Sequence, residues 1–280
     1  MPTVARLYVP LIAFVLMALL VLAAPARAAD REKLEAFLEV TGFDVALESI
    51  RLSADAAPQM LGMDAEDFGS EWSRLVREVF ATDIMHDMAL DILSETLSDD
   101  LLQHGADFYA SDLGQELVKA ENKSHMFEDD GLKTESGTAI VDGLVRIGSP
   151  RVEILNRLNQ ASDVEDSSVR SIQEVQVRFL MAAASAGVVE LQMDESDLRE
   201  ALRSQEPQMR QSIRANALAG SAYTYQAFSD EQVEEYAIAL ENPKMQRVYE
   251  LMNAVQYEIM ANRYEAVAAR LSQMQPSQDL

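Results

Sequence analysis

The sequence predicts an all-α fold, a helical bundle built from two similar multi-helix halves. From Asp30 onward the chain is rich in Ala, Leu, Glu, Gln, Met and Arg, which favour helices, and strict apolar–polar alternation is rare. Apolar residues recur at steps of three and four, as the buried face of a helix requires. In addition, residues 97–121 align with 228–252 without a gap, and both segments have a capping serine followed thirteen positions later by a second capping residue, Ser111 or Asn242.

The first half contains three predicted helical segments. Leu34, Phe37 and Leu38 predict a short helix that ends at Thr41-Gly42, and Asp44 is placed to cap a second helix that runs towards Pro58. A longer helical segment starts at Asp64. Its apolar residues follow the helical period, and they are Phe68, Trp72, Leu75, Val76, Val79, Phe80, Ile84, Met88, Leu90 and Leu93.

The second half continues the same pattern. Its predicted helical stretches are 152–158, 169–189, 198–218 and 231–271, the last interrupted at Asn242-Pro243. Segment 127–138 lacks apolar periodicity and predicts a polar linker, and a short helix follows it. The domain prediction is therefore a signal peptide at 1–28, a first repeat at 29–130, a linker and short helix at 131–148, a second repeat at 149–272 and a flexible tail at 273–280. The sequence allows two halves that fold independently, and it also allows one bundle in which each half completes the core of the other. It slightly favours the single bundle.

The composition excludes several functional classes. The 280 residues are 48% apolar and 25% charged, which is typical of a globular protein. Asp and Glu total 47 against 23 for Lys and Arg, and the formal charge of −24 argues against binding to nucleic acid or to anionic membranes. The absence of cysteine excludes thiol catalysis, disulfides, zinc ribbons and iron–sulfur clusters.

The N-terminus predicts a secretory signal peptide. Arg6 precedes an apolar run at 7–24, and Pro25 is followed by Ala26-Arg27-Ala28, a small-x-small cleavage site. An uncleaved anchor is the alternative, because the run approaches the length of a membrane span. We expect cleavage after Ala28, export to the periplasm of a Gram-negative envelope, and no stable membrane span after cleavage.

The two repeated segments share their capping residues. Ser98 and Ser229 each precede acidic residues and predict helix N-caps, because their hydroxyls can accept bonds from first-turn amides. Ser229 with Gln232 makes a capping box. Ser111 and Asn242, thirteen positions after each first cap, predict the caps of the next helices.

The repeated segments resemble a bacterial exported family described as domain of unknown function 2059. Its pattern is a helix opened by Phe-Thr/Ser-acid-acid-Leu, followed by Phe-Tyr-x-Ser-Pro-x-Gly before a second helix. In the first copy Leu97–Leu101 match the opening, and Phe108, Tyr109, Ser111 and Gly114 match the turn, with Asp112 in place of proline. In the second copy Phe228–Glu231 match the opening, and Asn242 and Pro243 keep the turn, but Leu240 replaces tyrosine and Met245 replaces glycine. The resemblance implies a helical envelope protein of unassigned function and carries no catalytic residues across.

The sequence predicts no catalytic, cofactor-binding or metal-ligating residues. A proline follows Ser149 and rules out a serine nucleophile elbow, and the chain has no phosphate-binding or dinucleotide-binding glycine motif. The histidines stand 18 and 21 residues apart, which is not the spacing of a helical zinc site. Carboxylates are abundant, but a general acid requires burial, which the sequence does not show.

Six of the eight tyrosines lie between Tyr223 and Tyr264. Tyr249, Tyr257 and Tyr264 share one side of the last predicted helix and suggest a partner-contact face, because tyrosine supplies rigid amphipathic contact area. The alternative is a core seam edged by half-buried tyrosines.

Taken together, these features favour a soluble, non-enzymatic periplasmic protein that acts by contacts with an envelope protein or peptide. The alternatives are a carboxylate-dependent hydrolase or lyase, and a carrier of a small apolar ligand between the two halves. The sequence does not determine the oligomeric state.

Overall fold

The computed structural model describes residues 31–63 and 68–272. These residues form helices and no extended strand, which confirms the all-α prediction. The predicted signal peptide and the predicted C-terminal tail lie outside the described residues. Among the described residues, no helix combines the length and the apolar character needed to cross a membrane.

The helices follow one another with short connections. In the first half they are α1 (Arg31–Thr41), α2 (Phe43–Ser49), the 3-10 helix η1 (Ile50–Ala56), α3 (Ala57–Met60), α4 (Ser70–Val79), α5 (Thr82–Thr96), α6 (Asp99–Tyr109) and α7 (Asp112–His125). They continue with α8 (Asp130–Arg146), α9 (Arg151–Ala161), α10 (Val164–Ser185), α11 (Glu195–Ser204), α12 (Glu206–Thr224), α13 (Asp230–Leu240) and α14 (Pro243–Leu271).

The prediction of a polar linker at the start of 131–148 is wrong, because 130–146 is one continuous helix, α8. Asp129 caps this helix by accepting a bond from the amide of Leu132 at 2.8 Å. The small residues that suggested a loop allow close packing against α12. A Cβ atom at Gly137 would lie 2.1 Å from the carbonyl oxygen of Ala219.

Helix α14 connects the two halves. It packs against α10 of the second half and against α4, α5 and α6 of the first half. Its buried residues lie on several sides of the helix, as expected for a helix surrounded by others. The buried apolar residues of both halves form one continuous core.

Two glycines of α8 provide a matched test of this packing. We expect Gly137→Ala to lower the free energy of unfolding by about 1–3 kcal/mol, because the added methyl group collides with the backbone of α12. Gly143→Ala adds its methyl group where no atom lies within 4 Å. It should raise the free energy of unfolding by about 0.5–1 kcal/mol through helix propensity. Urea unfolding of both variants makes the comparison, and equal effects would contradict the close α8–α12 contact.

Candidate functional site

A cavity of about 340 Å³ lies between the two halves. The first half contributes residues from α1, α2, α6 and α7 to its wall, and the second half contributes residues from α9, α12, α13 and α14. Apolar and polar side chains share the lining. The polar and ionisable lining residues are Thr41, Tyr109, Glu121, Asn122, Ser124, His125, Asn159, Ser162, Ser221, Thr224, Tyr225, Tyr236, Tyr249, Asn253 and Gln256.

Three tyrosine hydroxyls meet at one wall of the cavity. The hydroxyl oxygen of Tyr236 lies 2.9 Å from that of Tyr109 and 2.7 Å from that of Tyr249, and Tyr109 also contacts Tyr249. These tyrosines come from α6, α13 and α14. The ring of Phe108 stacks on that of Tyr236 with centroids 5.7 Å apart, which fixes the Tyr236 ring.

Glu121 on α7 accepts hydrogen bonds from two tyrosines. Its Oε1 atom is 2.7 Å from the hydroxyl of Tyr225 and 2.9 Å from that of Tyr236. Among the described residues, none donates a hydrogen bond to Oε2. Desolvation raises the pKa of Glu121, although the two tyrosine hydrogen bonds act in the opposite direction.

The tyrosines themselves are neutral at physiological pH. Desolvation and the negative charge of Glu121 raise the pKa of Tyr225 and Tyr236 well above 10. The pKa of Tyr109 is also well above 10, mainly because of burial. Each hydroxyl therefore keeps its proton and can donate one hydrogen bond.

Arg151, at the start of α9, holds the segment that carries Tyr225. Its side chain is 8% exposed, and its guanidinium donates to Asp230 Oδ1 at 2.6 Å and to the carbonyl oxygen of Tyr225 at 2.5 Å. Arg151 does not line the cavity. Its positive charge is thus used to position the α12–α13 connection.

Asn122, the next residue of α7, also lines the cavity. Its Oδ1 atom is buried and has no hydrogen-bond partner in the described part of the chain. Gly42 packs directly against it, since a Cβ atom there would lie 2.4 Å from Oδ1. Gly42 has φ +70° and is the residue before α2, so α2 begins at Phe43 and the predicted cap at Asp44 is wrong. The glycine allows both the left-handed conformation and the close contact.

The cavity wall follows the sequence repeat. Four lining residues on α6 or α7 have a counterpart 131 positions later, on α13 or α14, that also lines the cavity. The pairs are Tyr109 with Leu240, Glu121 with Met252, Asn122 with Asn253, and His125 with Gln256. The helix hairpins α6–α7 and α13–α14 therefore present equivalent positions to the same space. The first hairpin supplies the titratable member of three pairs, and the second hairpin supplies Leu240, Met252 and Gln256 at those positions.

The predicted caps all precede helices, but their hydrogen bonds differ. Ser111 accepts from the amide of Gly114 at 3.1 Å, and Asn242 accepts from the amide of Lys244 at 2.9 Å. Ser229 and Gln232 form the reciprocal capping box. Ser98 stands before α6 with an extended backbone, but its side chain makes no capping bond. The shared sequence pattern therefore fixes the position of Ser98 but not its hydrogen bonding.

The tyrosines predicted as a partner-contact face lie in three different environments. Tyr264 is 4% exposed, with its ring edge-to-face with Phe80 and Phe179, so its place in an exposed face is corrected to the core. Tyr249 is half-buried and belongs to the hydroxyl cluster at the cavity. Tyr257 is half-buried, with its hydroxyl 3.4 Å from Ser167 Oγ. Their common helix face thus points into the protein, as in the core-seam alternative.

Sequence reasoning missed Glu121, Asn122, Tyr109, Tyr225 and Tyr236 as a group. The crowding of tyrosines after Tyr223 was a usable signal, but Glu121 is one of 47 acidic residues and its burial is visible only in the fold. In the described part of the chain, no three His, Asp or Glu side chains are placed to hold a metal ion.

Fold and cavity together define an all-helical protein with a mixed polar and apolar site between its two halves. Residues 83–141 match the sequence model of the family described as "Uncharacterized protein conserved in bacteria (DUF2059)". This confirms the family resemblance for the first copy, and the second copy stays a prediction. The matched segment includes α6, α7 and Glu121, and thus one wall of the cavity. No curated protein and no solved structure matches the chain.

The raised pKa of Glu121 predicts how stability depends on pH. A carboxyl group whose pKa is higher in the folded state destabilises the fold increasingly as pH rises from its unfolded pKa to its folded pKa. We expect Glu121→Gln to be more stable than the parent protein at pH 8, because a neutral amide avoids the desolvation of a charge and its oxygen can still accept from Tyr225 and Tyr236. This advantage should shrink at pH 4.

Chemical denaturation at both pH values measures the difference. Glu116→Gln is the matched control, because Glu116 lies on the same helix with an exposed side chain. A Glu121→Gln variant that is less stable than the parent at pH 8, or equally stabilised at both pH values, would contradict a desolvated carboxylate at this site.

Proposed function

We propose that this protein binds a small amphipathic molecule in the cavity between its two halves, and that it does so in the periplasm of a Gram-negative envelope after export. One observation carries the proposal: Glu121 lines a cavity of about 340 Å³ with its Oε1 atom bound by two tyrosine hydroxyls and its Oε2 atom without a donor among the described residues. Polar atoms in protein interiors are normally paired. Mixed apolar cavities of this size with a few placed polar groups are typical of small-molecule sites.

This proposal develops the carrier alternative from the sequence and replaces contacts with a protein or peptide as the favoured function. The contact hypothesis named a tyrosine face on the last helix as its candidate contact surface. Burial of Tyr264 and the half-burial of Tyr249 and Tyr257 leave that face little area for a partner. The polar part of the cavity wall also indicates a ligand that is not purely apolar.

A carboxylate-dependent hydrolase or lyase is the second candidate function. The supporting observation is the raised pKa of Glu121, since a general acid or base at neutral pH needs such a shift. The binding function is preferred because both tyrosine hydrogen bonds to Glu121 already use its Oε1 atom. Turnover that is found in an activity screen and is lost in Glu121→Gln would establish the enzyme instead.

Filling the cavity tests the binding function. Ala217 on α12 lines the cavity, and we expect Ala217→Phe to occupy the space and exclude the ligand. Ala215→Phe is the control, because Ala215 is exposed on the same helix and does not line the cavity. Mass spectrometry of small molecules that co-purify with the folded proteins should detect a ligand with the parent and with Ala215→Phe, but not with Ala217→Phe. Equal recovery of the same molecule from all three proteins would place the ligand elsewhere.

Export is tested on the protein from cells. We expect the form released by osmotic shock to begin at Ala29, since cleavage follows Ala26-Arg27-Ala28. N-terminal sequencing makes the measurement. A product that stays in the membrane fraction and begins at Met1 would instead establish an anchored protein.

A further inference from the structure

We infer that the ligand of this cavity carries a primary ammonium group on an apolar chain or ring, with the ammonium group bound by Glu121. The inference rests on the proposed function, because it names the chemical class of the molecule in the same cavity. Three independent properties of the site support it: the direction of its hydrogen bonds, the sign of its charge and the apolar side chains that share its lining.

The hydrogen bonds of the cluster leave acceptors but no donors. Tyr225 and Tyr236 donate their single protons to Glu121 Oε1. Tyr109 and Tyr249 lie within hydrogen-bond distance of each other and of Tyr236, so their two protons are also taken up within the cluster. The tyrosine hydroxyls therefore offer a ligand oxygen lone pairs rather than free O–H groups.

The open acceptor of this cluster is the second carboxylate oxygen of Glu121 on α7. Glu121 Oε2 receives no hydrogen bond from the described residues, and the tyrosine hydroxyl oxygens beside the carboxylate keep lone pairs. A group with several N–H donors satisfies such a set of acceptors, and a primary ammonium group has three. A hydroxyl group has one donor, and a quaternary ammonium group has none.

The charge around the cavity is negative. No lysine or arginine lines it, and Glu121 is the acidic lining residue. Lys133 approaches the rim, where its ammonium group is 2.7 Å from Asp130 and 3.4 Å from the carbonyl oxygen of Ser124. Desolvation and Lys133 lower the pKa of His125, so this histidine is neutral at pH 7.

Glu121 is therefore a partly buried carboxylate without a cationic partner in the lining. Such a group is costly to keep ionised, and a bound cation offsets that cost. The formal charge of −24 on the whole chain acts in the same direction, because it attracts cations and repels anions.

The apolar side chains of the lining account for the apolar part of the ligand. Phe37, Phe43, Ala46, Leu158 and Met252 line the cavity together with the polar cluster. A chain or ring bound against them gains free energy by removal of apolar surface from water. The ligand class is thus an amphipathic amine.

Binding of matched probes tests the inference in the full-length exported protein. The probes share one chain and differ in the head group: n-octylamine, n-octanol, n-octanoate and n-octyltrimethylammonium. By isothermal titration calorimetry at pH 7, we expect n-octylamine to bind at least about tenfold more tightly than each of the others, as charge-assisted hydrogen bonds to Glu121 would provide. Glu121→Gln should remove this preference without changing the affinity for n-octanol, and Glu116→Gln should leave all affinities unchanged.

The outcomes separate this inference from the proposed function. Equal or tighter binding of n-octanol or n-octanoate would overturn the ammonium specificity and leave a ligand cavity in place. Equal binding of n-octyltrimethylammonium would show that charge alone is recognised, and would overturn the role of the N–H donors. Lack of binding by all four probes would overturn the inference, whereas the Ala217→Phe mass spectrometry decides separately whether the cavity holds a ligand.

Discussion

Burial of helix α14 is the constraint on which the rest of the structure depends. Tyr264 shows this most directly, since its ring packs edge-to-face against Phe80 of the first half and Phe179 of the second half, with centroids 5.7 and 5.6 Å away. Neither half encloses this helix alone. The apolar faces of both halves pack around α14 and are buried there in one continuous core.

That shared helix also explains where the cavity forms. The hairpin α13–α14 lies against α6 of the hairpin α6–α7, and both hairpins turn equivalent positions towards the same space. At the equivalent positions 121 and 252, the first hairpin places the acidic Glu121 at the cavity and the second hairpin places the apolar Met252.

The sequence was sufficient for the fold class and for the helix starts that depend on local chemistry. Ser229, Ser111 and Asn242 cap helices as their neighbours predicted, because a capping bond joins residues two or three positions apart. Segment 127–138 was misjudged, since its small residues serve contact with α12, a distant partner that periodicity does not reveal.

The cavity depends on still longer contacts and was beyond prediction. Tyr109, Glu121, Tyr236 and Tyr249 come from four helices, and Tyr109 is 140 residues from Tyr249. Helical spacing placed Tyr249 and Tyr264 on one side of α14 correctly, but it could not tell whether that side faces water or the other half. Burial is a property of the assembled bundle, and the functional chemistry of Glu121 arises from burial alone.

A purely structural role for the tyrosine–glutamate cluster is the remaining interpretation to weigh. Buried polar networks that stabilise a fold satisfy all their members, since a partly satisfied network is less stable than an apolar core. Here Oε1 of Glu121 is satisfied twice, whereas Oε2 and the neighbouring Asn122 Oδ1 have no partner among the described residues. Arg151 donates its hydrogen bonds to Asp230 and to the backbone carbonyl of Tyr225, and it does not line the cavity. The carboxylate therefore has no cationic partner among the lining residues, which is the arrangement that a cationic ligand requires.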